Sequence, residues 1–129
     1  MAGYSGTPLP RKLGIKPGHR LLLCGEPDGF ALEDLPDGVT RASGEADVIL
    51  AFHTRRAELA RRMPALRERM DPAAGLWIAW PKRASGVETD LTEDVVRDLA
   101  LANTLVDNKV CAIDETWSGL RLVIRLRDR

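Results

Sequence analysis

The apolar residues of this 129-residue chain are concentrated in a few short, unbroken runs. The clearest runs are Leu21–Cys24, Leu76–Trp80 and Ala46–Phe52, in which Asp47 is the one polar residue. Unbroken apolar runs of this length are typical of strands that are buried on both faces inside a parallel sheet. Glycine follows the first run and proline follows the third, and both residues favour the end of a strand. The pattern therefore predicts three buried strands.

Helical spacing is found on either side of the third run. The apolar residues from Leu59 to Met70 are spaced four, three and four positions apart, which predicts an amphipathic helix. Pro64 is expected to kink or restart this helix, because proline removes the backbone bond to the preceding turn. A second helix is predicted over Leu91–Ala102 with Asp90 as its N-cap, and a short third helix over Gly29–Leu35.

The remaining segments are predicted as turns and weaker strands. Asp71–Gly75 has the composition of a turn, and Val39–Ala42 is a weak strand candidate. Two further strands are predicted at about Val106–Ile113 and Gly119–Leu126. Apolar and polar residues alternate in the last of them, which indicates a half-exposed antiparallel strand at a sheet edge.

The order of these elements indicates an α/β fold. It predicts a Rossmann-like three-layer sandwich, in which a mostly parallel sheet ends in an antiparallel C-terminal edge hairpin. The length fits one domain of typical size, which we expect over residues 19–129. Residues 1–18 contain three prolines and four glycines, and we expect them to form a lead-in segment that packs across the domain.

Charge and composition argue against several classes of function. The 19 basic and 19 acidic residues give no net charge, which argues against a dedicated nucleic-acid-binding protein. No apolar stretch has the length of a membrane span, and the first residues do not have the pattern of a signal peptide, so we expect a cytoplasmic protein. Cys24 and Cys111 are the only cysteines and have neither a metal-binding spacing nor that of a disulfide framework. We therefore expect no metal site, and the sequence does not indicate an oligomeric state.

Two segments resemble motifs of class I S-adenosylmethionine-dependent methyltransferases. KPGHRLLLCG at Lys16–Gly25 is similar to the approach to that family's cofactor-binding glycine loop, and DPAAGLWIAW at Asp71–Trp80 is similar to the entry into its fifth strand. The resemblance implies a trimmed methyltransferase-like topology. However, the loop Gly25–Gly29 holds a proline and two acids where the family has a glycine-rich pattern, and Arg41 lies near the place of its ribose-binding acid. We therefore expect no cofactor, with S-adenosylmethionine bound weakly or not at all.

Longer phrases resemble an uncharacterised bacterial family of unknown function. They are GYSGTPLPRKLGIKPG, WPKRASGVETDLTE, LVDNKVCAIDETWSGLR and the terminal IRLRDR. The resemblance runs nearly end to end and implies a small cytoplasmic protein. It implies no activity, cofactor or catalytic residue.

Four loops are expected to meet at one edge of the sheet, because ligands of open parallel sheets bind beyond the carboxyl ends of the strands. Their aromatic, cationic and acidic side chains would suit a small polar or nucleotide-like ligand. The candidate ligand-binding residues are Gly25, Glu26, Asp28, Gly29, His53, Trp80, Lys82, Ser85, Asp114, Glu115 and Trp117. The alternative is that each loop only closes its own strand and that the tryptophans fill the edges of the core.

The side chains with catalytic potential also have structural interpretations. His53 could act as a general base near neutral pH, but a lone histidine at a strand end is more often a solvated or capping residue. Cys24 has no neighbouring base and is interpreted as a buried structural thiol, and Cys111 as a core residue. No catalytic residue is therefore assigned.

Two functions from different classes stay open. We expect a non-enzymatic cytoplasmic module that binds a partner protein or a small polar ligand at the carboxyl ends of the strands. The alternative is a minimal S-adenosylmethionine-dependent methyltransferase with its cofactor over Gly25–Gly29. A cavity large enough for an adenosyl group at this place would favour the alternative.

Overall fold

The computed structural model describes residues 7–129. Its strands are β1 (Arg20–Cys24), β2 (Thr40–Arg41), β3 (Ala46–Phe52), β4 (Met70–Pro81), β5 (Leu105–Ala112) and β6 (Trp117–Ile124). Its helices are α1 (Leu9–Lys12), α2 (Arg56–Glu68) and α3 (Glu93–Ala102). All three unbroken apolar runs form strands, and the predicted α/β fold class is confirmed. No helix within residues 7–129 is long and apolar enough to cross a membrane.

The six strands form one mixed sheet in the order β2-β1-β3-β4-β6-β5. Strands β1 to β4 are parallel, and β6 runs antiparallel to both β4 and β5. The prediction that the last strand lies at the sheet edge is wrong, because β6 lies between β4 and β5. Its backbone is paired on both sides, whereas β5 carries the exposed residues Asn108 and Lys109 at the edge.

A different layer covers each face of the sheet. Helices α2 and α3 pack on one face over a core that includes Ile49, Ile78 and Leu122. Residues 7–18 of the lead-in segment and the loop after β1 cover the other face, where Leu13 and Trp77 belong to a second core. Residues 1–6 of the predicted lead-in lie outside the described residues. Trp77 is fully buried, and its Nε1 donates a hydrogen bond to the carbonyl oxygen of Leu13 (3.0 Å). This bond fixes the lead-in segment to the sheet.

The predicted helix over Gly29–Leu35 does not form. The N–H of Phe30 donates instead to the carbonyl of Pro27 (3.0 Å), and Gly29 has φ +82°, as the third position of a type II turn requires. Beyond the turn, Phe30 and Leu32 both pack against the second core. Their spacing of two fits an extended segment, so contacts with the sheet replace helical hydrogen bonds.

Two other local predictions are also wrong. Asp71–Gly75 is not a turn, because it forms the irregular beginning of β4, where Gly75 pairs with Val48. The N-cap of α3 is Thr92, whose hydroxyl accepts a hydrogen bond from the N–H of Val95 (3.2 Å). The predicted cap, Asp90, instead accepts a hydrogen bond from the N–H of Arg56 at the start of α2 (2.7 Å). The Asp90 carboxylate therefore accepts a hydrogen bond at the start of α2 and does not cap α3.

Candidate functional site

A cavity of about 580 Å³ lies at the carboxyl ends of the parallel strands. Strand β5 is parallel to β4, because both are antiparallel to β6, so the β5–β6 turn reaches the same end of the sheet. The lead-in segment, the loops after β1 and β4, and this turn all contribute to the lining. The polar and aromatic lining residues are Asp28, Phe30, Asp114, Thr116 and Trp117. The volume falls within the range of about 300–1,000 Å³ that small-molecule sites occupy.

Three aromatic rings hold one wall of this cavity in place. The ring of Phe52, the last residue of β3, contacts Phe30 (centroid distance 4.9 Å, interplanar angle 66°) and Trp117 (5.0 Å, 90°). Edge-to-face pairs of this kind add stability beyond the area that they bury. Because Phe52 is buried and belongs to the sheet, the rings of Phe30 and Trp117 are positioned by contacts within the protein.

The charged side chains that line the cavity are all acidic among the residues that the structure describes. They are Asp28 and Asp114. Asp114 Oδ1 accepts hydrogen bonds from the N–H groups of Thr116 and Trp117 (2.8 Å each), which shapes the β5–β6 turn. Asp28 is exposed on the loop after β1. Two carboxylates beside aromatic rings suit a ligand that combines a positive charge with a flat apolar part.

The loop after β1 contacts β3 closely at Gly25, whereas the space beside Gly29 is empty. At Gly25 (φ +65°) a Cβ atom would lie 2.8 Å from the carbonyl oxygen of Phe52, so this position tolerates only glycine. At Gly29 nothing lies within 4 Å of the place of a Cβ atom. The backbone at Gly29 is therefore accessible from the cavity. Pro27, in contrast, has no N–H to offer a ligand.

Lys82 and Ser85 support the rim of the cavity and do not line it. Lys82 Nζ donates to the carbonyl oxygen of Asp114 (2.7 Å), and the backbone N–H of Lys82 donates to the carbonyl of Thr116 (2.7 Å). Ser85 Oγ donates to the carbonyl of Lys82 (2.6 Å). The expectation that Lys82 supplies a cation to the site is wrong, because Lys82 is not among the residues that line the cavity.

The other predicted site residues are divided between the rim and the core. Glu26 and Glu115 are exposed and are not among the lining residues. Trp80 lies on the face opposite Trp77, as their spacing predicts, and borders a neighbouring groove of about 530 Å³. Val87 lines both the cavity and this groove. The two spaces are therefore adjacent at the carboxyl end of the sheet.

His53 lies in the interior, outside the cavity. Its side chain is 1 % exposed, and neither ring nitrogen has a hydrogen-bond partner. Burial, and next the charge of Arg62, lower the pKa of His53 below its ordinary value of 6.5. Burial also raises the pKa of the Cys24 thiol, as expected for a structural cysteine. No group of three or more histidine, cysteine or acidic side chains that could hold a metal ion occurs among residues 7–129.

Several lining residues were not predicted from the sequence. Phe30 and Ala31 were assigned to a helix, and Leu9 was assigned to a lead-in segment without a ligand-binding role. The one available signal was the aromatic Phe30, which stands alone in an otherwise acidic stretch. Leu9 carried no signal, because its place at the cavity depends on the contact between the lead-in segment and Trp77.

Comparison with solved structures identifies the fold as that of S-adenosylmethionine-dependent methyltransferases. A methyltransferase of this type from Aquifex aeolicus superposes with a TM-score of 0.64 at 15% identity, covering 89% of this chain and 87% of that one. Magnesium protoporphyrin IX methyltransferase from Synechocystis PCC 6803 with bound S-adenosylmethionine superposes with a TM-score of 0.58 at 10% sequence identity. The match covers 91% of this chain and 74% of that one. Ribosomal protein L11 methylase from Lactobacillus delbrueckii subsp. bulgaricus superposes with a TM-score of 0.56 at 12% sequence identity. The match covers 91% of this chain and 75% of that one.

These comparisons correct the expected function. No protein-family model matches the chain, and no curated protein matches it in sequence. The predicted similarity to class I methyltransferases is supported by the fold, whereas the resemblance to an uncharacterised bacterial family stays a prediction. The expectation of a non-enzymatic binding module is overturned, because solved structures that share the fold include several S-adenosylmethionine-dependent methyltransferases. The comparison favours the alternative hypothesis, a minimal methyltransferase.

Proposed function

We propose that this protein is a minimal S-adenosylmethionine-dependent methyltransferase that holds its methyl donor in the cavity at the carboxyl ends of the strands. One observation carries the proposal. A cavity of about 580 Å³, lined by aromatic rings and by acids but by no basic side chain among the described residues, lies at this edge of a methyltransferase fold. A cavity large enough for an adenosyl group at this place favours the methyltransferase over the other hypothesis.

The chemistry of the lining fits the methyl donor. S-adenosylmethionine combines a sulfonium cation and an ammonium group with ribose hydroxyls and a flat adenine ring. Asp28 is exposed at the cavity and can accept hydrogen bonds from an ammonium group or from hydroxyls. Trp117 and Phe30 offer aromatic surfaces for adenine or for the sulfonium charge. When bound, S-adenosylmethionine would supply an electrophilic methyl group to a substrate nucleophile.

The loop after β1 determines how tightly the donor is held. The accessible backbone at Gly29 permits the close approach that a donor needs, whereas Pro27 offers no N–H group. Arg41 stands at the end of β2, near the place where the methyltransferase resemblance implies an acid for the ribose. The acidic contact to the donor is therefore assigned to Asp28. We expect a dissociation constant nearer to 100 μM than to 1 μM, which corresponds to about −5.5 rather than −8.2 kcal/mol.

The free thiols support a cytoplasmic location. Cys24 and Cys111 are both free and half-buried. Cysteines without disulfide partners are typical of a reducing compartment. We therefore place the reaction in the cytoplasm.

Calorimetric titration with S-adenosylmethionine and S-adenosylhomocysteine tests the proposal. We expect both to bind with dissociation constants of about 100 μM or tighter. The variant Asp28→Asn should weaken S-adenosylmethionine binding about three- to tenfold, because the amide loses the charge of the acceptor. Asp98→Asn is the matched control, since Asp98 is exposed on α3 and outside the cavity lining.

The outcomes of this titration are separable. Binding that weakens in Asp28→Asn and not in Asp98→Asn supports the proposed site. Equal binding by both variants and the wild type would place the donor elsewhere and contradict the assignment of Asp28. No heat from either compound at about 1 mM would overturn the methyltransferase proposal.

A further inference from the structure

A second cavity, of about 450 Å³, lies at the opposite end of the sheet. It is bordered by the turn between α1 and β1, by the first residues of β3 and by the edge strand β5. None of its lining residues lines the carboxyl-end cavity. It is therefore a separate site, which the proposed methyltransferase reaction does not use.

The lining of this amino-end cavity is predominantly basic. Its charged side chains are Lys12, Lys16, Lys109, Arg121 and a single acid, Asp47, with His19 beside them. Both Asp47 oxygens are engaged by Arg20, with Oδ2 at 3.1 Å from Nε and Oδ1 at 3.0 Å from Nη2. Arg20 also donates to Asp71 Oδ2 (3.2 Å), so its guanidinium offsets one of the two carboxylate charges. The lining still has four basic side chains against Asp47. The cavity thus carries a net positive charge in a protein whose overall net charge is zero.

Arg121 is the most constrained of these cations. It extends from β6 across β4, and its guanidinium lies over Gly75, where a Cβ atom would come within 2.5 Å of Nε. A glycine at position 75 therefore creates the space for the guanidinium. Within residues 7–129, no ion pair includes Arg121, and its side-chain hydrogen bond goes to the neutral Oδ1 of Asn108 (3.3 Å). Burial, and next the charge of Arg129, lower the pKa of Arg121.

Lys109 is held beside Arg121 by a similar arrangement. It is paired with Arg121 across β5 and β6, and its Nζ donates to the carbonyl oxygen of Lys12 (3.1 Å). A carbonyl partner fixes the position of the ammonium group but does not cancel its charge. The structure thus places a half-buried guanidinium and an ammonium group side by side without a carboxylate for either.

We propose that the amino-end cavity binds a small phosphorylated anion, with Arg121 as a bidentate donor and Lys109 as a second cation. A guanidinium fork matches two oxygens of one phosphate group, and the second cation favours a ligand with at least two negative charges. The volume of about 450 Å³ favours a small ligand over an extended polymer. Pyrophosphate is the simplest probe with this chemistry.

Calorimetric titration with pyrophosphate at a fixed low salt concentration tests this site. Wild-type protein should bind pyrophosphate with a dissociation constant below about 1 mM. Arg121→Gln should weaken binding at least tenfold, and Lys109→Gln about three- to tenfold. Arg61→Gln is the matched control, because Arg61 is exposed on α2 and changes the net charge equally. Circular dichroism should show that the variants are folded, and Lys109→Gln still tests the site if Arg121→Gln does not fold.

Each result either supports or overturns the site. Selective weakening in the Arg121 and Lys109 variants, with Arg61→Gln unchanged, supports it. Equal weakening in all three variants would show attraction by net charge alone and would overturn it. No binding of pyrophosphate at about 5 mM would likewise overturn it. So would a single-stranded RNA that binds the wild type more tightly than pyrophosphate does and binds Arg61→Gln more weakly. S-adenosylmethionine binding should be unchanged in Arg121→Gln, so the two proposals fail independently.

Discussion

At the scale of single residues, His53 is the least satisfied polar side chain in the core that the structure describes. It follows the last residue of β3 and packs beneath α2, where Glu58 and Arg62 are its charged neighbours. Both ring nitrogens are buried without hydrogen-bond partners. A buried polar group without a partner costs about 1–3 kcal/mol of stability. Burial, and next the charge of Arg62, lower the pKa of the imidazole against the smaller opposing effects of Glu58 and the Ala51 backbone, so the folded protein favours the neutral form.

This environment predicts a pH-dependent stability. The folded protein resists protonation of His53, whereas the unfolded chain binds a proton below pH 6.5, the ordinary pKa. Because the unfolded state then binds more protons, the free energy of unfolding decreases as the pH falls below 6.5. Between pH 7.5 and 5.5 this loss should reach up to about 1.4 kcal/mol.

Urea denaturation of the wild type and of His53→Leu checks this prediction. The leucine variant should be more stable at pH 7.5 by about 1–3 kcal/mol, because it removes two buried nitrogens without partners. It should also lose less stability between pH 7.5 and 5.5 than the wild type does. A variant that loses as much as the wild type over this range would show that His53 does not cause the pH dependence.

At the scale of elements, α2 continues through a residue that normally ends a helix. Pro64 lies inside the helix Arg56–Glu68, and the helix still buries Leu59, Met63 and Leu66 against the sheet. The expected restart of the helix at Pro64 is not observed. Burial of the apolar face on both sides of the proline offsets the lost backbone hydrogen bond to Ala60.

Replacement of this proline should stabilise the protein. In Pro64→Ala the N–H at position 64 can donate to the carbonyl of Ala60, and alanine has the higher helix propensity. The greater freedom of the unfolded chain reduces the gain by about 0.4–1 kcal/mol, so we expect a net gain of about 2 kcal/mol. Urea denaturation at pH 7.5 measures it. A decrease in stability would contradict this account of α2.

The same elements indicate where sequence-based prediction succeeds and where it does not. Ala46–Phe52 was predicted with the observed bounds, because a strand buried on both faces leaves an apolar run that here only Asp47 interrupts. The segment after β1 was not predictable in the same way. Its extended form depends on contacts of Phe30 and Leu32 with a core built around Leu13 and Trp77, which are distant in sequence. The turn at Pro27–Phe30 then replaced the expected start of a helix.

At the scale of the whole molecule, the two ends of the sheet have opposite character. The carboxyl-end cavity is lined by acids and aromatic rings, and the amino-end cavity is lined mainly by lysines and Arg121. The net charge of zero does not reveal this separation, because it sums all 19 basic and 19 acidic residues of the chain. The fold places each cavity where chain segments that are distant in sequence meet.

The location of the carboxyl-end site was predictable and its chemistry was not. The edge of the sheet follows from the order of the strands, so Asp28, Asp114 and Trp117 could be assigned to one place from the sequence. Lys82 was misassigned because its partner, the Asp114 carbonyl, lies 32 residues further along the chain. His53 was misassigned because the strand pattern does not show that α2 covers the residue after Phe52.

Nuclear magnetic resonance mapping tests the central claim, that the methyl donor binds in the carboxyl-end cavity. In ¹⁵N-labelled protein titrated with S-adenosylhomocysteine, the amide signals of Gly29 and Phe30 and the indole signal of Trp117 should shift and saturate together. The amide signals of Lys16 and Lys109, which line the amino-end cavity, should not move. No shift at Gly29, Phe30 and Trp117 at about 1 mM ligand, or shifts confined to Lys16 and Lys109, would contradict the account.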